Sequence, residues 1–227
     1  MHQDIQARLD SSHKWLAIAL SLVSALSIFA MLHHPSVSAS DVVGRIEEIN
    51  QESAMNSLVH GVLIGFTLFI SFCLSVYGQQ RSLQKPTILF GTICYWLGTA
   101  AMVTAALMSG FVSPHLAQMY TGAAASQLDT YAGLSRLVWA TNQAFAYFGA
   151  ISWALTMMLW SRDMMNQGKF TKGFAVISSI SGLAIIVSLL GEWVTLNVFG
   201  MTLVLVAISI WHIGIAILLY RHSDIKA

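Results

Sequence analysis

Six long apolar segments constrain the fold of this chain more than any other feature of its sequence. They lie at about residues 15–32, 58–77, 87–108, 134–160, 174–190 and 194–220. A helix rises 1.5 Å per residue, so roughly 20 apolar residues cross a hydrocarbon core about 30 Å thick. Backbone polar groups that face lipid must be hydrogen-bonded within their own segment. We therefore predict that each segment is a transmembrane helix.

Composition supports this assignment. Hydrophobic residues make up 56% of the 227 residues and charged residues only 9%, whereas a soluble domain carries about 25% charged residues. The sequence thus predicts one all-α domain over residues 1–227, a polytopic bundle of six transmembrane helices with the lipid bilayer as its main partner. The net charge of +1 gives no basic field for nucleic acid, so no nucleic-acid partner is expected.

Basic residues predict how the chain threads the membrane. Nine of the 11 fall on one side of the predicted spans, and Arg45 and Arg136 fall on the other. By the positive-inside rule, this split places both termini in the cytoplasm. The nine are Arg8, Lys14, Arg81, Lys85, Arg162, Lys169, Lys172, Arg221 and Lys226. Short loops and the absence of organellar targeting features favour a bacterial inner membrane.

The exterior loops carry helical patterns of their own. Val42, Ile46 and Ile49 recur at the spacing of an amphipathic helix, which we expect either to lie at the membrane surface or to cap the bundle. In the loop 110–133, Ser126 and Asp129 predict the start of a helix that runs into the fourth span. The fifth and sixth spans are separated at Glu192 by a tight turn, which predicts an antiparallel hairpin.

Small residues predict where the helices approach one another. Gly61 and Gly65 form a G-x-x-x-G pair in the second span, and Ala140 and Ala144 repeat this spacing in the fourth. A third group of serines and a glycine occupies residues 178–182. Such residues let helix backbones pack closely in lipid.

Polar side chains near the exterior end of the spans give the best candidate site. Polar residues inside a span are costly, and they mark function by default. We predict a ligand cavity in the outer leaflet, without catalytic residues, that is formed by His60, Arg136, Asn142, Gln143, Tyr147 and Glu192. The alternative is that these groups make interhelical hydrogen bonds, with Arg136 paired to Glu192 or extended to the lipid headgroups.

No metal or cofactor is predicted. Cys73, Cys94 and His212 could offer soft ligands, but they lie on three spans without metal-binding spacing. Haem b is a weaker alternative, since His60 and His212 differ in depth by roughly 15 Å. His33 or His34 matches His60 better in height but lies near the surface.

The remaining patterns point away from catalysis. No G-x-S-x-G or H-E-x-x-H motif occurs, and no Asp or Glu lies in the middle of a span. We expect a non-catalytic accessory protein, or a protein that binds a small molecule or lipid. The candidate protein partners are another membrane protein and a second copy of the chain. The alternatives are a redox protein associated with haem or quinone, and a small facilitator-type transporter.

Overall fold

The computed structural model describes the backbone of residues 2–225 and the side chains of residues 12–221. Within this range the chain is helical and contains no strand, which confirms the all-α prediction. The helices are α1 His2–Leu32, α2 Val42–Gln51, α3 Ser53–Gln80, α4 Pro86–Leu107, α5 Ser113–Met119, α6 Ala125–Met164, α7 Lys169–Leu190 and α8 Val198–Ile225.

Six of the described helices are long and apolar enough to cross a membrane, as predicted. Their outward faces carry large apolar side chains, such as Leu22, Phe29, Ile177 and Ile180, that are exposed in the isolated chain. Exposed apolar surface on this scale is unstable in water but is solvated by lipid. The six helices indicate a multi-pass membrane protein.

Helix α6 is the longest element, and its first part stands clear of the predicted span. Its 40 residues correspond to about 60 Å of helix, and it starts close to the predicted helix start at Ser126. This extension packs Tyr131 against Ile46 of α2 and Ala117 of α5. The predicted amphipathic helix is therefore confirmed as α2, and the buried side of α2 covers one end of the bundle.

One irregular helical turn was not predicted. Residues Met108–Val112 form a π-helical segment that joins α4 to α5 without a break. The ring of His60 lies against Gly110, where an added Cβ would come within 2.3 Å of the His60 Cβ. Hydrogen bonds from the side chains of Asn56 and Ser57 to the carbonyl oxygens of Ser109 and Gly110 link this segment to the start of α3.

The predicted tight hairpin of the last two spans is wrong. Residues 191–197 form a longer connection, in which Glu192 has a positive φ of 57°. Helix α7 packs along α6 and α8 packs along α1, whereas α7 and α8 contact each other little. The connection is long enough for α7 and α8 to pack against different helices.

The small-residue predictions are correct for only one of the three helices. Gly61, Gly65, Ala140 and Ala144 are exposed on the outside of the bundle. In α7, Gly182 is buried, and an added Cβ there would lie 2.7 Å from the Ala154 carbonyl oxygen.

A second close contact, in which two glycines face each other, lies between α4 and α6. An added Cβ at Gly98 would lie 2.9 Å from the carbonyl oxygen of Gly149, and one at Gly149 would lie 3.0 Å from that of Gly98. These two glycines belong to no G-x-x-x-G pair. Small-residue spacing therefore fails to find this contact.

The bundle has two distinct ends. At the terminal face, Lys14 of α1 lies 5.5 Å from the ring of Tyr220 of α8, so both ends of the described chain meet there. The opposite end, the loop face, carries α2, α5 and the connection 191–197. Of the basic residues used to predict orientation, the side chain of Arg8 and the whole of Lys226 lie outside the described residues.

Candidate ligand cavity

A cavity of about 670 Å³ opens at the loop face between α1, α3, α4, α6 and α8. His60, Asn142 and Gln143 line it, whereas Arg136, Tyr147 and Glu192 are not among its lining residues. Ligand pockets for small molecules commonly enclose about 300–1,000 Å³. The structure therefore brings three of the six proposed site residues to one cavity of suitable size.

The body of the cavity is apolar and its floor is closed. Side chains of Leu63, Ile64, Met102 and Leu205 form its walls, and Trp153 lies at its base. The Trp153 Nε1–H donates to the carbonyl oxygen of Tyr95 at 3.3 Å, which fixes the ring across the bundle. A ligand that enters from the loop face meets hydrocarbon and aromatic surface.

Below this floor the bundle is filled by aromatic side chains. We call Tyr77, Tyr95, Trp153, Trp160 and Trp211 the aromatic core, whose neighbouring ring centroids lie between 5.4 and 6.4 Å apart. The Tyr95 hydroxyl lies 2.8 Å from Nε2 of the buried His212. Among the described residues, no three His, Cys, Asp or Glu side chains are grouped to hold a metal, so Cys73, Cys94 and His212 form no such site.

The two amides at the cavity rim hold helices and a loop together. The Asn142 side-chain N–H donates to the Ala105 carbonyl oxygen of α4 at 2.8 Å. The Gln143 side-chain N–H group donates to Asn142 Oδ1 at 3.1 Å and to the Leu196 carbonyl oxygen at 3.2 Å. The bond from Asn142 to α4 is an interhelical hydrogen bond, as the alternative predicted, and both amide side chains also line the cavity.

The other three proposed residues have different surroundings. The Tyr147 hydroxyl donates to the Val194 carbonyl oxygen at 3.4 Å, so it supports the same connection as Gln143. Arg136 and Glu192 are exposed. The two ion pairs found within the described side chains join Asp163 to Arg81 and to Lys85, so of the two alternatives for Arg136 the pairing with Glu192 is not formed.

Two histidine rings meet at the mouth of the cavity. Nε2 of His34 lies 3.3 Å from Nε2 of His60, with the rings at 73° to each other. Nδ1 of His34 lies 2.6 Å from the Pro35 carbonyl oxygen, and Nδ1 of His60 lies 2.9 Å from that of Asn56. Burial lowers the pKa of His34, and its backbone hydrogen bonds offset this only in part. The two histidines lie at similar depth, as predicted from the sequence, but their contact was not predicted.

A polar recess adjoins the mouth. It is lined by serines 38, 40 and 135 and by Arg45, and the residues that it shares with the main cavity include Ser109, Ser113, Trp139 and Asn142. Glu48 of α2 holds two lining residues of the recess in place, because its carboxylate accepts the backbone N–H of Ala39 and both the N–H and hydroxyl of Ser38. The Ala39 N–H, followed by the Ser38 hydroxyl, holds the pKa of Glu48 below its ordinary value.

The ion pairs at the terminal face were missed by sequence analysis. The carboxylate of Asp163 accepts hydrogen bonds from Arg81 at 2.6 Å and from Lys85 at 2.7 Å. All three residues lie near the ends of spans, where charges are common. No pattern in the sequence singles them out.

Comparison with known proteins offers no further assignment. No protein-family model, curated protein or solved structure matches this chain.

Proposed function

We propose that this chain is a membrane protein that binds an elongated amphiphile in the loop-face cavity. The observation that carries the proposal is the division of one cavity into an apolar body and a polar mouth. An amphiphile matches both parts: its hydrocarbon lies against Leu63, Met102 and Trp153, and its head reaches the serines of the recess. Burial of hydrocarbon contributes roughly 25 cal/mol per Å².

We further propose that the loop face is exterior and that both termini are cytoplasmic, as in a bacterial inner membrane. Support comes from the basic residues: Arg81, Lys85, Lys169 and Arg221 lie towards the terminal face, and Arg45 and Arg136 lie towards the loop face. The mouth would then take its ligand from the outer leaflet or from the exterior medium.

The two sequence-based alternatives receive less support from the geometry. A facilitator needs a passage through the bundle, whereas Trp153 and the aromatic core close the inner end of the cavity. A haem with two axial histidines needs the porphyrin between the rings, whereas His34 and His60 touch directly. Binding without transport or electron transfer fits the described side chains best.

Energy transfer from tryptophan to a dansyl-labelled fatty acid tests the proposal, because Trp139 and Trp153 line the cavity. We expect saturable transfer at one probe per chain in the detergent-purified protein. Ala146→Phe fills the cavity, since Ala146 is a buried lining residue, and it should weaken binding at least about tenfold.

Ala144→Phe is the matched control, because Ala144 lies two residues away on the same helix but faces outward. It should bind the probe as the unsubstituted chain does. Equal binding by the Ala146→Phe and Ala144→Phe proteins would show that the probe occupies the outer surface and would overturn the proposal.

A further inference from the structure

The contact between His34 and His60 poses a problem in hydrogen bonding. Carbonyl oxygens only accept hydrogen bonds, so each ring must carry its proton on Nδ1 to bond Pro35 or Asn56. In the neutral rings both Nε2 atoms are then acceptors, and these acceptors face each other at 3.3 Å. Two lone pairs at this distance repel each other unless a cation lies between them.

The distance and the tautomers match those of a metal site. Zinc bonds histidine nitrogen at about 2.0–2.1 Å, so two tetrahedral nitrogen ligands lie about 3.3–3.4 Å apart. Metal-bound histidines almost always donate the other ring N–H to a carbonyl or carboxylate, which fixes the tautomer. Both rings meet this condition through backbone carbonyl oxygens.

We propose that His34 and His60 bind a divalent transition-metal cation of the zinc type through their Nε2 atoms at the mouth of the cavity. Imidazole nitrogen suits zinc, copper and nickel rather than magnesium or calcium. The described residues supply two protein ligands, so water completes the coordination from the cavity side. This site stands independently of the amphiphile proposed for the apolar part.

A metal explains the pair better than a shared proton does. Partial burial of the His34 ring disfavours its protonated form, since less water solvates the charge. A proton would contribute one hydrogen bond, whereas a metal forms a coordinate bond with each nitrogen. The acidic residue Glu52 also lines this cavity and favours a cation there.

Several backbone contacts hold His60 in place for this role. The side chains of Asn56 and Ser57 donate to the carbonyl oxygens of Ser109 and Gly110 in the π-helical segment. Gly110 leaves room for the imidazole, since any Cβ there would overlap it. The irregular turn thus leaves space for the His60 ring between the backbone of α3 and residues 108–112.

Metal binding is measured on chelator-treated protein purified without a polyhistidine tag and without added lipid. Titration with Co²⁺ should give the visible absorption bands of tetrahedral coordination at one ion per chain, and Zn²⁺ should displace it. His34→Ala and His60→Gln should each weaken binding at least about tenfold, as the loss of a supporting group alone costs 10–100-fold.

His33→Ala is the control, because this neighbouring histidine is exposed and bonds the Phe29 carbonyl oxygen instead. His34 lies in the connection after α1, so its replacement leaves the bundle folded even if His60→Gln does not. Absence of Co²⁺ bands, or bands that persist unchanged in His34→Ala, would overturn the proposal. A single proton shared by both rings in metal-treated protein would overturn it as well.

Discussion

Helix packing differs between the two halves of the bundle. Towards the terminal face, the aromatic core and close glycine contacts fill the space between α4, α6 and α8. Towards the loop face, the same helices separate around a cavity, and hydrogen bonds from Asn142 and Gln143 to backbone carbonyl oxygens link them. The comparison indicates that one half maintains the fold, whereas the other encloses the cavity in which we propose that a ligand binds.

The largest expected effect comes from adding a large side chain to the half towards the terminal face, which we call the packed half. Gly98→Leu would push a side chain into Trp153 and the Gly149 backbone, and should cost more than about 3 kcal/mol, at the upper end of overpacking effects. Thermal unfolding in detergent measures the loss. Gly65→Leu is the control, because no atom lies within 4 Å of a Cβ there. Equal stability of the two variants would mean that α4 and α6 are not in close contact.

A smaller effect is expected at the ion pairs of the terminal face. Asp163→Asn removes the charge that holds Arg81 and Lys85, and should cost about 2 kcal/mol, after allowance for the partial exposure of both cations. The same unfolding measurement applies, with the exposed Glu192→Gln as the control. A loss no greater than that of Glu192→Gln would show that these ion pairs do not stabilise the packed half.

The hydrogen bond of Tyr95 gives a finer comparison of the two halves. Tyr95→Phe leaves the buried His212 ring without a partner among the described residues, which should cost about 1–2 kcal/mol. Tyr147→Phe removes a longer, half-buried bond at the loop face and should cost less than about 0.5 kcal/mol. The reverse order would contradict the division between the halves.

The smallest effect is a pH dependence confined to the loop face. Burial lowers the pKa of His34, so the unfolded chain binds more protons than the folded one below the ordinary histidine pKa. Stability contributed by neutral His34 is therefore present above about pH 6.5 and is lost as the pH falls. His60 and Glu52 are the other titratable groups on this cavity wall.

Stability curves at pH 7 and pH 5 measure this loss, and His34→Ala should reduce the difference between them. Metal-free protein is used, so that competition between protons and metal does not contribute. The account of His34 fails if His34→Ala leaves the pH dependence unchanged.

The parts of this fold that depend on local sequence pattern were predictable from the sequence. The six spans follow from hydropathy, and α2 follows from the spacing of Val42, Ile46 and Ile49. The Gly98–Gly149 contact was missed because it depends on which helices become neighbours. A spacing rule applied to one helix at a time cannot supply that information.

The candidate site shows the same limit. Depth along the helices brought His60, Asn142 and Gln143 together, since 1.5 Å per residue is a reliable measure of height. The depth of a residue in the membrane does not tell which side of its helix faces the bundle. Arg136 was therefore placed with these residues, although its side chain is exposed. The contact of His34 with His60 depends on the path of a loop and on a π-helical turn, and neither leaves a signal in the hydrophobic pattern.

Reaction of cysteines with N-ethylmaleimide tests the contrast between the halves most directly. Thr67 lines the cavity on α3, and the native Cys73 lies six residues further along the same helix, fully buried in the packed half. We predict that Thr67→Cys gains one adduct by mass spectrometry, that a bound dansyl fatty acid slows this reaction, and that Cys73 and Cys94 stay unmodified. A Thr67→Cys thiol as inert as Cys73, or a Cys73 that reacts as fast, would contradict the account.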